Sequence, residues 1–293
     1  MKEIKFFAIA AGDSANNSER IQLLREAAIK RNISFQALDS TTMDYRCLPI
    51  PTAGDLLFNT GRMSSRLETL LSLPGVATFR TRKPSFVENT VDSTIFTAMH
   101  DRLGFPSPRT IHHAPNDDSL LRQYIAYLGG LPIIVKASAS TRGEGVVLCN
   151  TFESVREAIG LFRSSVRDVI LREYVPHREL FRVVVLGDNI LCTLRHPIRP
   201  NDFRSTIDGT YEIVKQCSAE IEQLAVAALK ACEYEFGGVD IIYDFNRGPL
   251  LLEVNPPCNF ASIRRKVGID IAGPLVDHLL LKSKLELKHA DFA

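Results

Sequence analysis

Two acidic residues and an asparagine stand in a late segment of the chain whose other residues are mostly apolar or typical of turns. Residues 238–260 predict two strands joined by a turn at residues 244–249. In such a hairpin Asp240 faces Glu253, and Asn255 lies on the same side because side chains alternate along a strand. Carboxylate and amide oxygens are ligands that Mg²⁺ and Mn²⁺ prefer. The segment therefore predicts a divalent metal site.

The register of this hairpin decides the metal prediction. A pairing of Tyr243 with Leu250 places Asp240 directly opposite Glu253. Like charges directly opposite one another destabilise a sheet, and a carboxylate buried without a partner costs free energy. A bound cation removes both costs. The alternative interpretation is that the two carboxylates are simply solvated beside the turn.

A second chemical feature is a lysine that ends an apolar run. The residues up to Lys136 predict one strand, and residues 146–149 predict its partner. The loop between them, from Ser138 to Gly145, also contains Gly143, and its backbone N–H groups can approach phosphate oxygens. A lysine inside an apolar strand is costly unless its ammonium meets an anion. The pattern indicates a phosphate site, although it does not match a Walker A loop and an ordinary long hairpin explains it equally well.

The length and composition of the chain limit the class of protein. Its 293 residues are enough for two or three subdomains with sizeable cores. The net charge of +1 gives no field that would attract nucleic acid or an anionic membrane, and no apolar run approaches the ~20 residues that span a bilayer. The six cysteines include no CxxC pair, which indicates reduced thiols. We therefore expect a cytoplasmic protein with neither a nucleic-acid nor a membrane partner.

Three groups of predicted elements would position these residues. Residues 1–88 alternate between strand and helix patterns, which is typical of a small parallel α/β domain. Residues 89–172 hold the lysine loop, and residues 173–293 hold the metal segment. In the first group Arg62 follows a strand end, where open α/β sheets bind ligands, so it is either a substrate contact or a solvated arginine. The turn at Gly12 lacks the GxGxxG pattern and does not support a dinucleotide site.

Periodicity and capping residues predict the main helices. One helix is expected at residues 18–31 with Ser18 as its N-cap, and a long one at residues 218–236. The last helix is expected at residues 268–282. A short fourth strand of the N-terminal domain is expected at residues 76–79.

Basic residues concentrate before the metal segment. Arg182 lies in the first arm of a hairpin that is predicted at residues 180–195. The further basic residues of this stretch are Arg195, His196, Arg199 and Arg204. We expect this cluster to face the segment of the chain that leads to the metal hairpin.

The order of these motifs resembles that of the ATP-grasp superfamily of carboxylate–amine ligases, and of its RimK-type glutamate ligase branch in particular. The likeness covers about residues 85–282 and is only architectural before them. The segments that carry it are residues 135–136, 143–148, 172–175, 202–205, 238–241, 246–249, 252–256 and 268–273. Each fragment alone is unspecific, whereas the ordered combination is specific.

The resemblance implies an ATP-grasp fold, a mixed α/β (α+β) architecture in which a small N-terminal parallel domain precedes two subdomains that hold ATP between two sheets. Lys136 resembles the lysine that contacts the nucleotide phosphates, and Arg204 the arginine that neutralises the γ-phosphate and the acyl phosphate. Asp240, Glu253 and Asn255 resemble the Mg²⁺ ligands. The other residues expected at the nucleotide are Ser138, Gly143, Gly145, Arg172, Glu173, Tyr174, Val175, Glu179 and Arg182.

Residues 173–175 resemble the hinge whose backbone meets the adenine edge, but three other positions depart from the family pattern. Ser93 stands where the family has a lysine. Leu180 stands where the family has an acidic ribose ligand, with Glu179 one place away. Residues 256–260 replace a small, glycine-containing loop on the acceptor side, which implies a different amine specificity. The candidates to replace the lysine are Arg80, Arg82 and Lys83.

The activity implied by the resemblance is that of an ADP-forming, C–N bond-forming ligase that uses ATP and Mg²⁺ or Mn²⁺. A substrate carboxylate becomes an acyl phosphate, and an amine then displaces phosphate to form an amide. The substrates would be an amino acid, a peptide or a small biosynthetic acid, and whether the chain forms a homo-oligomer stays open. Two alternatives are a nucleotide-binding module without ligase activity, acting as a sensor or partner subunit, and an ATP-dependent enzyme with another phosphate acceptor.

Overall fold

In the part of the chain that the structure describes, three β-sheets with helices packed against them form the fold. The computed structural model describes residues 3–12, 14–61, 64–81, 94–138, 145–165, 168–177, 179–197 and 211–290. In chain order the elements are β1 (Lys5–Ala10), α1 (Ala15–Ile29), β2 (Ser34–Asp39), β3 (Leu56–Asn59), α2 (Ser65–Leu71), α3 (Thr94–Arg102), β4 (Thr110–Ile111), α4 (Asp118–Tyr127), β5 (Ile133–Ala137), β6 (Val146–Cys149), α5 (Phe152–Ser164), β7 (Val169–Glu173), β8 (Glu179–Leu186), β9 (Asn189–Pro197), β10 (Glu212–Ile213), α6 (Ala219–Ala231), β11 (Phe236–Asp244), β12 (Gly248–Asn255), α7 (Phe260–Val267) and α8 (Ala272–Ala290).

The first sheet is parallel, with the strand order β2-β1-β3, as the alternating pattern predicted. Helix α1 begins one turn earlier than expected. Ser14, and not Ser18, is its N-cap, and the Ser14 side chain accepts a hydrogen bond from the Asn17 amide. The added turn is polar, so the apolar periodicity could not reveal it. The strand expected at residues 76–79 contributes only one isolated bridge, from Ala77 to Leu56.

The second sheet is antiparallel, with the strand order β4-β7-β5-β6. Burial alternates along β5, where Ile133, Val135 and Ala137 are buried. Ile133 and Val135 share a core with residues of α4 and α5. Because successive side chains of a strand point to opposite faces, Lys136 points away from these helices.

The third sheet is antiparallel, with the strand order β10-β9-β8-β11-β12. One of its faces packs against α6 and α3, and Val183, Val239 and Phe96 share that core. Side-chain alternation therefore turns Arg182 and Asp240 to the opposite face, which we call the polar face. Helix α3 thus packs with the third sheet, while the division of the chain at residues 88 and 172 stays a prediction.

The hairpin of β11 and β12 contains a β-bulge that the sequence did not reveal. Asp240 pairs with Glu253 as predicted, but Tyr243 pairs with Pro249 rather than with Leu250. The register shifts between Asp240 and Ile241. A bulge sets two residues of one strand against one of its partner, so the expected pairing at the turn was wrong by one residue while the pairing of the carboxylates was correct.

Two helix boundaries differ from the expectation. Helix α6 has Ser218, the first residue of the expected helix, as its N-cap, but it ends at Ala231, and Glu233 adopts a φ of 61° before β11 begins. The apolar residues after Ala231 belong to a turn and a strand, which periodicity alone cannot separate from a buried helix. The last predicted helix begins at Ala272. The separate helix α7, which ends at Val267 and is followed by Gly268 as its C-cap with a φ of 75°, was not predicted.

The first and third sheets share one hydrophobic core. Phe58 of β3 stacks edge-on with Phe79 at a centroid distance of 4.7 Å and lies 6.0 Å from Phe236 of β11. Residues of α7 and α8, such as Phe260 and Leu275, complete this core. The second sheet has its own core, so it meets the third sheet through polar contacts. Among the described helices, none is long and apolar enough to cross a membrane.

Candidate active site

The predicted metal ligands lie next to one another on the polar face of the third sheet. Asp240 on β11 pairs directly with Glu253 on β12, and Gly238 pairs with Asn255. The Asn255 amide donates a hydrogen bond of 3.4 Å to an Asp240 carboxylate oxygen. Two carboxylates and an amide are oxygen ligands that fit Mg²⁺. The structure thus brings the three residues together, and their role as ligands stays a prediction.

The lysine of the second sheet reaches this group of side chains. Lys136 Nζ lies 3.3 Å from Glu253 Oε2, and the two side chains are only 15% and 27% exposed. Lys136 is on β5 and Glu253 is on β12, so this ion pair joins the second and third sheets, and we call the region between the two sheets around it the cleft. A phosphate bound in the cleft would therefore meet a lysine on one side and the predicted metal ligands on the other.

An ion pair that sequence reasoning missed holds Asp240. Arg182 donates two hydrogen bonds to its carboxylate, from Nε to Oδ1 at 2.7 Å and from Nη2 to Oδ2 at 2.6 Å. The two side chains are 17% and 9% exposed. Burial raises the pKa of Asp240, and the Arg182 charge and hydrogen bonds act against this increase. Arg182, which was expected at the nucleotide, is therefore first the counter-ion of a predicted metal ligand.

The two ends of the predicted phosphate loop are described, and its middle is not. Ser138 is buried, and its amide donates a 2.7 Å hydrogen bond to the Asp168 carbonyl. Gly145 has a φ of 73°, a conformation that favours glycine, and its carbonyl accepts a hydrogen bond from the Ala137 amide. Gly143 lies outside the described residues. The loop thus leaves and rejoins the second sheet directly beside Lys136.

Glu173 at the predicted hinge is held by two arginines. Its carboxylate accepts hydrogen bonds from Arg109 Nε at 2.8 Å, from the Arg109 amide at 2.8 Å and from Arg247 Nη1 at 2.6 Å. Burial acts to raise the pKa of Glu173, but these hydrogen bonds outweigh it and lower the pKa. Arg109 precedes β4, and Arg247 lies in the turn between β11 and β12. Glu173 therefore connects the second sheet with the hairpin that carries the predicted metal ligands.

Its neighbour Arg172 makes a second connection between these sheets. Arg172 Nε donates to Thr110 Oγ1 at 3.0 Å, and Nη1 donates to the Leu252 carbonyl at 3.2 Å. Burial lowers the pKa of Arg172, and nearby carboxylates such as Asp101 and Glu253 act against this decrease. The charged side chains of Arg172 and Glu173 are thus engaged with protein groups.

An apolar cluster lies beside the hinge. Val175, Leu180, Ile242 and Leu250 are buried together, with Leu252 partly buried against them. We call this set the hinge cluster. Leu180 therefore contributes apolar surface at the position where a ribose ligand was expected. Apolar side chains beside the predicted hinge backbone are of the kind that line sites for a nucleobase ring.

Glu179, the expected ribose ligand, lies on the other face of the sheet. It alternates with Leu180, which shares the face of Arg182, and its Oε1 lies 2.9 Å from Arg195 Nη1. Arg195 also forms an ion pair with Glu212. The geometry therefore does not bring Glu179 or Arg195 to the polar face.

The candidates to replace the absent lysine divide into two groups. Arg80 is buried, and its guanidinium contacts Glu68 at 2.7 Å and lies over the Tyr234 ring. Because Glu68 already neutralises its charge, Arg80 is poorly placed to bind a phosphate. The other two candidates, Arg82 and Lys83, lie outside the described residues. The same is true of four further positions that the sequence analysis named, which are Arg62, Ser93, Arg199 and Arg204.

Cys258, which follows the metal segment, is buried in the core of the first and third sheets. Burial raises the pKa of its thiol to about 12, so the thiol stays protonated. A Cβ added at Gly238 would lie 3.0 Å from Cys258 Cβ. The same Cβ position lies 3.6 Å from a carbon of the Arg182 side chain, so Cys258 packs against the polar face beside Arg182 as a small buried residue.

A lysine on one sheet that faces two carboxylates and an amide on another is the arrangement of an ATP-grasp ligase. The chain belongs to the RimK-like ATP-grasp domain family, which it matches over residues 99–279. As a member of this family it is an ATP-dependent carboxylate–amine ligase, and ATP with Mg²⁺ is the cofactor set of the class. The predicted class of enzyme and the predicted fold class are thereby confirmed.

Individual relatives agree with this assignment. The ribosomal protein bS6–L-glutamate ligase of Escherichia coli O7:K1 (strain IAI39 / ExPEC) is 29% identical over 270 residues, which cover 86% of this chain and 89% of the relative. The structure of the ATP-grasp ligase PsnB with a phosphomimetic variant of its minimal precursor, Mg and ADP matches with a TM-score of 0.71 at 18% identity, over 95% of this chain and 98% of that chain. D-alanine–D-alanine ligase from Bacillus anthracis matches with a TM-score of 0.68 at 15% identity, over 98% and 99% of the two chains. The two structural matches support the fold alone.

Proposed function

We propose that this ligase activates a carboxylate with ATP and joins it to an amine of an amino acid or a peptide. The observation that carries the proposal is the contact between Lys136 Nζ and Glu253 Oε2 at 3.3 Å across the cleft. A triphosphate needs positive charge on several sides during phosphoryl transfer. This cleft offers a lysine on one wall and a set of oxygen ligands for a divalent cation on the other.

The proposed nucleotide position follows from the groups that line the cleft. By resemblance to the family, the backbone of Tyr174 and Val175 would meet the adenine edge. The Glu173 carboxylate would not take part, because two arginines already bind it. The hinge cluster would lie against the adenine ring. Lys136 and the loop from Ser138 to Gly145 would hold the phosphates, since a backbone that carries glycines can approach them closely.

Asp240, Glu253 and Asn255 would hold the metal. When bound there, Mg²⁺ supplies positive charge against the oxygens of the two terminal phosphates. Arg182 keeps the Asp240 carboxylate in a fixed orientation through its two hydrogen bonds. Arg204 is expected at the γ-phosphate from the resemblance to the family.

The proposed reaction has two steps, and the protein forms no covalent bond in either. An oxygen of the substrate carboxylate attacks the γ-phosphorus, the bond to the bridging oxygen breaks, and ADP leaves. The amine nitrogen attacks the carbonyl carbon of the resulting acyl phosphate, inorganic phosphate leaves and the nitrogen loses a proton. Lys136 contributes by neutralising charge, and the cleft contributes by positioning the reactants. Closing the cleft over them would keep water from the acyl phosphate.

The substrate class is inferred from relatives. One relative is named for a ribosomal protein and L-glutamate, and PsnB is bound to a precursor in its structure. We propose an amino acid, a peptide or a protein terminus as substrates of this chain. We also propose a cytoplasmic location, which is supported by six cysteines that are all free thiols.

An ADP-release assay with pairs of acids and amines tests the proposal. We expect ADP only when Mg²⁺, ATP, one acid and one amine are all present, together with an amide of the expected mass. ADP formation that is independent of the amine would indicate a different phosphate acceptor, and binding of ATP without turnover would indicate a nucleotide-binding module. A Glu253→Ala variant with normal rates of ADP and amide formation would refute the metal assignment.

A further inference from the structure

His196 on β9 is a buried polar side chain that the proposed reaction does not use. Only 1% of its surface is exposed, and neither ring nitrogen has a hydrogen-bonding partner among the residues that the structure describes. Burial, followed by the charges of Arg182 and Lys266, lowers the pKa of His196 to about 3, so the ring is neutral. A neutral imidazole carries one N–H donor and one acceptor, and leaving both unpaired in a core costs free energy.

His196 lies on the same face of the third sheet as the metal ligands. It pairs with Leu180, and Leu180 and Arg182 point to the same side of β8. Asp240 lies directly opposite Arg182 on the next strand. His196 is therefore at the end of a row of polar side chains, on the side away from Lys136.

The side chain that covers His196 is Tyr211. The two rings meet edge-on at a centroid distance of 4.2 Å. The same tyrosine ring lies under the Lys266 ammonium, which is 4.5 Å from its centroid. The face of an aromatic ring is partly negative and is a weak substitute for an anion. One ring thus covers a histidine that lacks a hydrogen bond and a lysine that forms no ion pair within the described part of the chain.

The charges around this ring are mostly positive. Burial lowers the pKa of Lys266, and the charges of Arg265 and Arg182 lower it further. Arg182 is paired with Asp240, and Arg265 is paired with Glu19, so neither carboxylate is shared with Lys266. A group that bound beside Lys266 and His196 would therefore be favoured if it carried negative charge.

We propose that the space of the Tyr211 ring is a subsite for a carboxylate group of a substrate, which the Lys266 ammonium and the His196 N–H bind when the ring moves aside. Two donor groups that both contact this ring suit the two oxygens of a carboxylate. The inference rests on the proposed ligase function, because a substrate of that reaction supplies the carboxylate. It deepens that function by requiring a substrate with a carboxylate besides the reacting one.

The first test uses pairs of substrates that differ only in that carboxylate. For an active acid and amine pair, each non-reacting carboxylate is replaced in turn by its amide. We expect His196→Gln and Lys266→Met to raise the KM of the carboxylate form by about tenfold, with kcat and the KM of ATP almost unchanged. The same variants should leave the KM of the amide form unchanged. The effect of the two substitutions on KM should disappear when the amide replaces the carboxylate of one substrate only. That substrate, the acid or the amine, is the one that supplies the carboxylate.

A tyrosine variant and a matched control exclude a merely structural role. Tyr211→Ala should lower the KM of the carboxylate form, because the ring no longer competes with the ligand, whereas damage to the fold would raise every KM. Lys230→Met is the control. Lys230 is an exposed lysine near the end of α6, and it is paired with Asp188. Equal changes for carboxylate and amide forms, or no change in any KM, would overturn the subsite and leave the ligase function standing.

A second test needs no turnover and so separates the subsite from the reaction. Protein with isotope-labelled histidines is saturated with Mg²⁺ and a non-hydrolysable ATP analogue and is studied by NMR. The resonance of the His196 ring is assigned because it is absent from the spectrum of His196→Gln. Glutarate should shift this resonance, ethylamine should not, and Lys266→Met should weaken the glutarate response about tenfold. A response to inorganic phosphate but not to glutarate, or no response to either, would contradict a carboxylate subsite.

Discussion

The ammonium of Lys136 lies 3.3 Å from a carboxylate oxygen of Glu253, although 117 residues separate the two in the chain. The lysine belongs to the second sheet and the glutamate to the third, so their contact joins the two walls of the cleft. Each group is the counter-ion of the other. A phosphate beside the lysine and a metal ion beside the glutamate would satisfy the same charges with the two groups further apart.

Replacing Lys136 by methionine tests the lysine wall of the cleft. Removing one preorganised positive group beside the reacting phosphate should lower kcat by about 10²–10³-fold, and the KM of ATP should rise. Steady-state ADP release against ATP concentration measures both. Lys230→Met, an exposed lysine far from the cleft, should behave like the unmodified protein. A change of less than about threefold in Lys136→Met would contradict a phosphate role.

The facing of Asp240 and Glu253 could be predicted, because strand alternation and a short turn leave few registers for a hairpin. The bulge in that hairpin could not, since Tyr243 pairs with Pro249 and one residue of β12 is unpaired. The sequence carries no local signal for such an insertion. The prediction of the carboxylate pair was correct because the bulge lies between it and the turn.

The Arg182–Asp240 ion pair should be a large contributor to stability. Arg182→Met leaves a buried carboxylate without its partner, which should lower the free energy of unfolding by about 3–5 kcal/mol. Urea denaturation of Arg182→Met, Asp240→Asn and the double variant measures the coupling, and the double variant should be more stable than Arg182→Met. Mn²⁺ that binds the folded Arg182→Met protein should raise its free energy of unfolding, and this increase should grow with the Mn²⁺ concentration. Additive effects of the two substitutions would contradict the pair.

That ion pair also marks a limit of sequence analysis. Arg182 was expected at the nucleotide because of its position in a motif, whereas its partner lies 58 residues later on a neighbouring strand. Only the pairing of β8 with β11 brings the two side chains together. The same limit applies to His196, since a sequence shows a histidine in an apolar strand but not whether its nitrogens are satisfied.

Glu173 should make stability depend on pH in the acidic range. Its pKa in the folded protein lies below the ordinary value of 4.5 for a glutamic acid side chain, so the unfolded chain takes up the proton first as the pH falls. The contribution of the carboxylate is therefore complete above about pH 4.5 and is lost as the pH falls through the lower folded value. Glu173→Gln should cost about 1.5–3 kcal/mol at pH 7.

Denaturation of both proteins between pH 7 and pH 3 checks the sign of this effect. The difference in the free energy of unfolding between the original protein and Glu173→Gln should shrink as the pH decreases. Glu157→Gln, at an exposed position of α5, is the control and should show no such difference. A difference that grows towards low pH would contradict the assignment of a lowered pKa to Glu173.

Removing and replacing the metal tests the oxygen ligands directly. EDTA should abolish ADP release, and Mg²⁺ or Mn²⁺ should restore it, because two carboxylates and an amide favour these cations over metals that prefer nitrogen or sulfur. Glu253→Gln exchanges a charged ligand for a neutral one and also removes the partner of Lys136. It should therefore need a higher Mg²⁺ concentration for half-maximal rate, with a smaller loss at saturating Mg²⁺. A titration of rate against Mg²⁺ for both proteins measures the shift, and identical curves would show that Glu253 does not bind the metal.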